Sequence, residues 1–248
     1  MKSIIIANWK MQLDLKGAKE LAMAFKGISE KDKEVVICPS FASLGEVGNI
    51  LKKGSVKLGA QNCFWEVKGA YTGEVSSWEL KDAGCEYVII GHSERRQYLK
   101  ETDEMVHEKV RAALSAGLTP IICVGETFEQ RQQGARDYIL IHQTTKALEG
   151  IKVDKNQKVI VAYEPVWVIG SGQAVAPEDA ASASQVIGQT LIDLYSGDLA
   201  NNNFSVIYGG SVDSRNIKSF VQTGVIQGFL VGGASLKKDE FIDLIKNI

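Results

Sequence analysis

The sequence of 248 residues lacks any long apolar run. Near the N-terminus only residues 4–6 form a short one, too short for a signal segment or a membrane span. It lacks an excess of either charge: 28 basic and 30 acidic residues leave a net charge of −2. That balance argues against nucleic acid or a membrane surface as a partner and leaves room for a small anion held locally. It lacks a CxxC pair, and none of its four cysteines (Cys38, Cys63, Cys85 and Cys123) has a zinc-like partner at ligand spacing. Neither a bound metal nor a disulfide framework is expected. Buried free thiols, in a soluble protein of the cytoplasm, are the expected state. Low-complexity stretches and linkers are absent too.

What is present is rhythm. Short apolar, often β-branched runs recur at 3–7, 35–38, 57–60, 87–90, 120–124, 159–163, 205–208 and 228–231. Seven have the make-up of strands buried on both faces. The run 57–60 is weak and is accepted because it completes the series. Helical stripes lie between them. Ala18, Leu21, Ala22 and Phe25 follow the i, i+3, i+4, i+7 spacing. Val106, Val110, Ala113 and Leu114 do likewise, with Gly117 as the expected stop. Pro177 with Glu178 and Asp179 marks a helix start. Asp213 is the expected N-cap of a helix carrying Ile217, Phe220 and Val221 and ended by Gly224. Phe241, Leu244, Ile245 and Ile248 mark the last helix.

Strand and helix alternating eight times in one domain, 1–248, predicts an α/β fold of eight parallel strands, each followed by a helix. A closed (β/α)8 barrel suits this better than an open doubly wound sheet. No GxGxxG follows the first strand to support a dinucleotide, and no cofactor is expected.

In such barrels the active site forms just after the strands. Those positions hold Asn8 and Lys10; His92, Ser93 and Glu94; Glu164; Gly209, Gly210 and Ser211; and Gly232 and Gly233. Either glycine pair alone is better read as a tight strand-to-helix turn. The two together, with a serine, favour a nest of backbone N–H groups for phosphate. Glu164 follows an apolar strand and precedes Pro165, Val166 and Trp167, surroundings that desolvate a carboxylate and strengthen it as a base. An acid at a strand end also pairs with a local cation. His92 precedes a predicted helical turn whose N–H groups would disfavour the imidazolium; a structural histidine is equally consistent. His107 and His142 read as surface residues. Lys10 is either a fixed cation of the site or a solvated lysine. Residues 166–172 are too apolar for an ordinary solvent loop, and read as a lid closing over substrate or as a loop docked on the core. A phosphate site, a carboxylate base, a neutral histidine and a cation together suit proton abstraction beside a carbonyl.

The segments Asn8-Trp9-Lys10-Met11, Gly91-His92-Ser93-Glu94-Arg95-Arg96, Ala162-Tyr163-Glu164-Pro165-Val166-Trp167, Tyr208-Gly209-Gly210-Ser211-Val212 and Val231-Gly232-Gly233-Ala234 closely resemble the triosephosphate isomerase family. They occur in the family's order, and the similarity spans the whole chain. The resemblance implies interconversion of dihydroxyacetone phosphate and glyceraldehyde 3-phosphate. Glu164 would be the base, and neutral His92 would polarise the carbonyl. Lys10 and Asn8 would stabilise the enediolate and phosphate. N–H groups of Gly170, Ser211, Gly232 and Gly233 would bind phosphate, with Ser93, Glu94 and Cys123 behind them. Pairing a carboxylate base with a neutral histidine is a known form of general acid–base tuning. The loop 61–75 would insert into a second copy in a homodimer, with Thr72 at the contact, which would also cover Phe64 and Trp65.

Four features depart from the family's common pattern: Gln12, Val168, Ser171, and the triplet Gln173-Ala174-Val175 at the expected lid hinge. They bear on lid motion and on the edge of the site. Another phosphate-binding barrel isomerase or an aldolase remains the alternative. A Schiff-base aldolase needs a lysine at a mid-barrel strand end, and the fifth and sixth strands carry none. A non-catalytic phosphate-binding barrel would lack the base and electrophile.

Overall fold

Each of the eight apolar runs forms a strand in the computed structural model, which describes residues 3–169 and 174–248. The strands are β1 (Ser3–Asn8), β2 (Lys33–Cys38), β3 (Lys57–Ala60), β4 (Tyr87–Ile90), β5 (Thr119–Val124), β6 (Val159–Tyr163), β7 (Phe204–Tyr208) and β8 (Gly228–Val231). They pair in chain order as a closed barrel. All ladders are parallel, and the ring shuts where Ile4 to Ala7 of β1 run beside Gly228 to Val231 of β8. The short β3 pairs with β2 at only two positions, Val36↔Lys57 and Ile37↔Leu58. That brevity explains its faint signal in the sequence. β2 begins two residues earlier than its apolar run, because Lys33 and Glu34 continue the ladder opposite Ser3 and Ile4.

Alternation along each strand divides the core in two. Ile4, Ile6, Val36 and Cys38 of the first two strands point inward. Tyr87, Ile89, Ile121, Cys123, Ile160, Ala162, Ile207 and Leu230 complete the interior. The other face, including Ile5, Ala7, Val88, Ile90 and Val161, packs under the helices. Strands apolar on both faces follow from this geometry, and each fully buried isoleucine contributes about 1.5–3 kcal/mol.

The helices start and stop for local reasons. Asp14 caps Leu15–Phe25 by accepting from Gly17 N–H, and buries Ala18, Ala22 and Phe25 below it. Thr102 caps Asp103–Ser115. Gly117 ends that helix at φ 71°, a left-handed turn that glycine adopts without a Cβ clash. Pro177 opens Pro177–Tyr195. The expectation for Asp213 is corrected in detail: the regular helix is Ile217–Val221 with Asn216 at its N-cap. Asp213 instead caps the turn leading into it, accepting from the N–H groups of Arg215 and Asn216. His107 is also corrected, being partly buried with Nδ1 3.2 Å from the Lys146 carbonyl. All four cysteines are free and buried. Among the described residues no helix is long and apolar enough to cross a membrane.

Candidate active site

The C-terminal ends of the strands enclose a cavity of about 370 Å³ lined by Asn8, Lys10, His92, Glu164, Gly209, Gly210, Ser211, Gly232 and Gly233. Parallel strands ending on one rim put residues more than 200 positions apart in sequence into one pocket.

Lys10 follows Asn8 out of β1 with φ 51°, a left-handed conformation. For a residue with a Cβ this costs about 1–2 kcal/mol and marks a constrained site. Its backbone N–H donates to Asn8 Oδ1 at 3.1 Å. Its ammonium reaches Glu94, Nζ to Oε1 2.5 Å. Both side chains remain partly exposed, so the pair orients the cation more than it stabilises the fold.

His92 leaves β4 through Gly91, which is fastened on both sides. Gly91 N–H donates to Glu101 Oε1 at 3.0 Å, and its carbonyl accepts from Arg96 Nε at 2.8 Å. His92 is the N-cap of Ser93–Leu99, and its Nδ1 accepts from Glu94 N–H at 3.2 Å. An Nδ1 that accepts is unprotonated, so the ring hydrogen sits on Nε2, facing the cavity.

Glu164 is buried, with only 2% of its surface exposed. Oε2 accepts from Ser93 N–H at 2.9 Å. Oε1 lies 3.1 Å from His92 Nε2. That distance suits a hydrogen bond, yet the ring N–H is not aimed at it, and Oε1 is buried without a hydrogen-bond partner. Beneath it, Cys123 lies inside the barrel. Burial pushes its thiol well above the ordinary range, and neighbouring Glu164 adds to this. Cys123 is therefore a neutral packing group.

Beyond Glu164 the chain forms a short 3-10 turn, Val166–Val168. Its described part is docked on the body. Trp167 Nε1 donates to Glu126 Oε1 at 3.1 Å, Arg131 stacks over the indole at 4.8 Å, and Val168 is buried. Ser211 Oγ donates to the Val168 carbonyl at 3.2 Å. Gly170, Ser171 and Gln173 lie outside the described residues. Of the neighbouring departures, Val175 is buried, whereas Gln12 and Ala174 are exposed.

Thr72 is exposed on the loop 61–75 and does not line the cavity. Phe64 and Trp65 are only partly exposed, because they stack on each other at 4.1 Å and Tyr71 joins at 4.7 Å. The larger exposed apolar groups here are Val67, Tyr71 and Trp78, which line one groove; Met11, after Lys10, is 94% exposed.

Several residues of the site carried no readable sequence signal. Gly125 lies where a Cβ would stand 1.7 Å from the Glu164 carbonyl oxygen, and at Gly209 a Cβ would stand 2.9 Å from Glu164 Cγ. Glu126 is fully buried and accepts from Tyr163 Oη at 3.2 Å as well as from Trp167. Burial and then Glu126 push the Tyr163 hydroxyl well up. Asp213, Arg215 and Asn216 form part of the cavity wall. Gly209 stood in the strand-end motif, but neither its contact with Glu164 nor the roles of Gly125, Glu126, Arg215 and Asn216 show in such a motif, since each is defined by a contact across the rim. Among the described residues no group of three or more His, Cys, Asp or Glu side chains is placed to hold a metal.

Residues 3–248 match the family model described as triosephosphate isomerase. The chain is 44% identical over 248 residues to the triosephosphate isomerase of Dictyoglomus turgidum, covering 99% of both chains. It is 46% identical over 245 residues to that of Caldanaerobacter subterraneus subsp. tengcongensis, covering 98% of both. Against that of Dehalococcoides mccartyi it is 45% identical over 249 residues, covering 99% of this chain and 96% of the other.

Proposed function

From the premise that this chain belongs to the triosephosphate isomerase family, and so interconverts dihydroxyacetone phosphate and glyceraldehyde 3-phosphate, we propose how its own residues divide the work. The observation that carries the reading is the buried Glu164 carboxylate, lining the cavity with Oε1 3.1 Å from His92 Nε2.

Glu164 takes the proton from the carbon next to the substrate carbonyl and returns it to the neighbouring carbon. The electron pair left behind becomes an enediolate. His92, with hydrogen on Nε2, donates to the oxygen that gains charge and passes protons between the two oxygens. The Lys10 ammonium, oriented by Glu94 and rooted beside Asn8, offsets that negative charge. Phosphate lies against the backbone of Ser211, Gly232 and Gly233, where small residues let N–H groups approach closely. Gly170 would contribute a further N–H. The whole chain, 1–248, acts as one catalytic domain.

We further propose a homodimer through the loop 61–75, with Thr72 near the site of the second copy. Exposed Val67, Tyr71 and Trp78, which line one groove, support it, since monomers seldom leave so much apolar surface in one region. Four buried thiols without disulfides suit the reducing cytoplasm. A coupled assay in both directions tests the chemistry, and mass measurement in solution tests the dimer. Lack of turnover with either triose phosphate would overturn the first reading, and a monomer at micromolar concentration the second.

A further inference from the structure

Lys10 holds a left-handed backbone, φ 51°, that residues with a Cβ keep only where their surroundings over-determine it. Asn8 accounts for one side of the residue, through Oδ1 and the Lys10 N–H. The other side is held from a distant part of the chain. Gln61, the first residue after β3, donates from Nε2 to the Lys10 carbonyl at 2.9 Å and to the Cys38 carbonyl at 2.9 Å.

We propose that Gln61 is a positioning residue for the catalytic lysine, clamping the Lys10 peptide so that its ammonium points into the cavity. The proposal rests on the role given to Lys10 above.

The geometry is specific. The last link between the ends of β1 and β2 is Trp9 N–H to the Cys38 carbonyl at 3.1 Å. Beyond it the two chains part, and the Gln61 carboxamide bridges them by spending one N–H on each. Only the amide nitrogen can serve there, because an oxygen in its place would face two carbonyl oxygens. The two peptide groups flanking the Lys10 Cα are thus both held by side chains, one local and one from the end of β3. From this anchored root the lysine stem passes Gly232, where a Cβ would stand 3.4 Å from Lys10 Cε. It ends at Glu94. Glu94 holds the tip, on a partly exposed side chain, whereas Gln61 holds the root. Return of Lys10 to an ordinary φ would redirect its Cβ and carry the ammonium off this path.

The test is a double-mutant cycle with Gln61→Met and Lys10→Met, read by kcat/KM and by binding of 2-phosphoglycolate. Gln61→Met is expected to lower kcat/KM about 10–100-fold in the Lys10 background, as displacement of a catalytic group by about 1 Å does. In the Lys10→Met background it should change less than about 2-fold, because the group it positions is gone. Equal losses in both backgrounds would mean that Gln61 only fastens its loop, and would overturn the proposal, as would no loss in either. If Lys10→Met itself leaves turnover unchanged, the role of Lys10 fails instead. Gln61→Glu, closer in shape, supplies a second comparison should the first variant not fold. Its activity deficit should narrow as pH falls and the introduced carboxyl gains a proton to donate. A deficit constant with pH would count against the clamp.

Discussion

Glu164 is shared between two parts of one loop: Oε2 accepts from the Ser93 N–H at 2.9 Å, while Oε1 stands 3.1 Å from His92 Nε2 without a hydrogen bond. One oxygen is anchored by backbone and the other lies beside the imidazole at the cavity. Glu164→Gln keeps the shape but removes the proposed base. It is expected to lower kcat by about 10²–10⁴-fold, the usual contribution of general base catalysis, while 2-phosphoglycolate still binds. Near-normal turnover would refute the assignment.

The tautomer of His92 is open to direct measurement. Nδ1 accepts from Glu94 N–H, so 15N spectra of the imidazole at neutral pH should show hydrogen on Nε2 and none on Nδ1. The opposite pattern would remove the donor that the proposed mechanism needs.

Gly125 and Gly45 predict opposite outcomes for the same substitution. Gly125→Ala would place a Cβ 1.7 Å from the Glu164 carbonyl oxygen. Backbone must then move, and a loss of about 3 kcal/mol or more, with collapse of activity, is expected. Gly45 is exposed within the helix Phe41–Leu51, with nothing within 4 Å of its would-be Cβ. Gly45→Ala should raise stability by about 0.5–1 kcal/mol with unchanged kcat. Denaturant titrations of both variants decide the matter.

Beneath the loop of His92, Glu101 accepts from Lys109 and from Arg95, each at 2.6 Å. Burial pushes the Glu101 carboxyl up, but Lys109 and Arg95 outweigh it and hold the group below the usual carboxylate range. A lowered folded-state value contributes stability that is complete above the unfolded value of about 4.3 and lost as pH falls through the folded one. Glu101→Gln leaves buried Lys109 without its charged partner, and a loss of about 3–5 kcal/mol is expected at pH 7. The difference from wild type should shrink in acid, below about pH 4. Thermal melts across pH would show a constant gap if the pair contributed nothing.

The four thiols should be silent in the native protein. Burial pushes Cys63 and Cys85 up to about 12, and Cys38 and Cys123 well above the ordinary range. At pH 8 alkylation by iodoacetamide is expected to be about 10³-fold slower or more than in the unfolded chain. Rapid labelling of any one by mass spectrometry would contradict its burial.

Much of the fold was legible because it is written in local periodicity. Strands buried on both faces require continuous apolar runs, and the β3, β4, β6 and β8 boundaries match those runs residue for residue. Where the chain departed from its pattern, a neighbour was responsible. Lys33 and Glu34 extend β2 because β1 lies beside them. Phe64 and Trp65 lose exposure because they find each other and Tyr71.

The site divides in the same way. The sequence by itself determined which chemical groups would stand at the strand ends, Asn8, Lys10, His92, Glu164, Ser211, Gly232 and Gly233 among them, because strand periodicity dictates where each strand stops. Only the tertiary structure decided how those groups are held. The clamp of Gln61 on Lys10, the space that Gly125 leaves for Glu164 and the hold of Glu126 on Trp167 are contacts between residues distant in sequence. Their strength depends on ångström-scale distance and orientation across the barrel rim, which no spacing along a chain encodes.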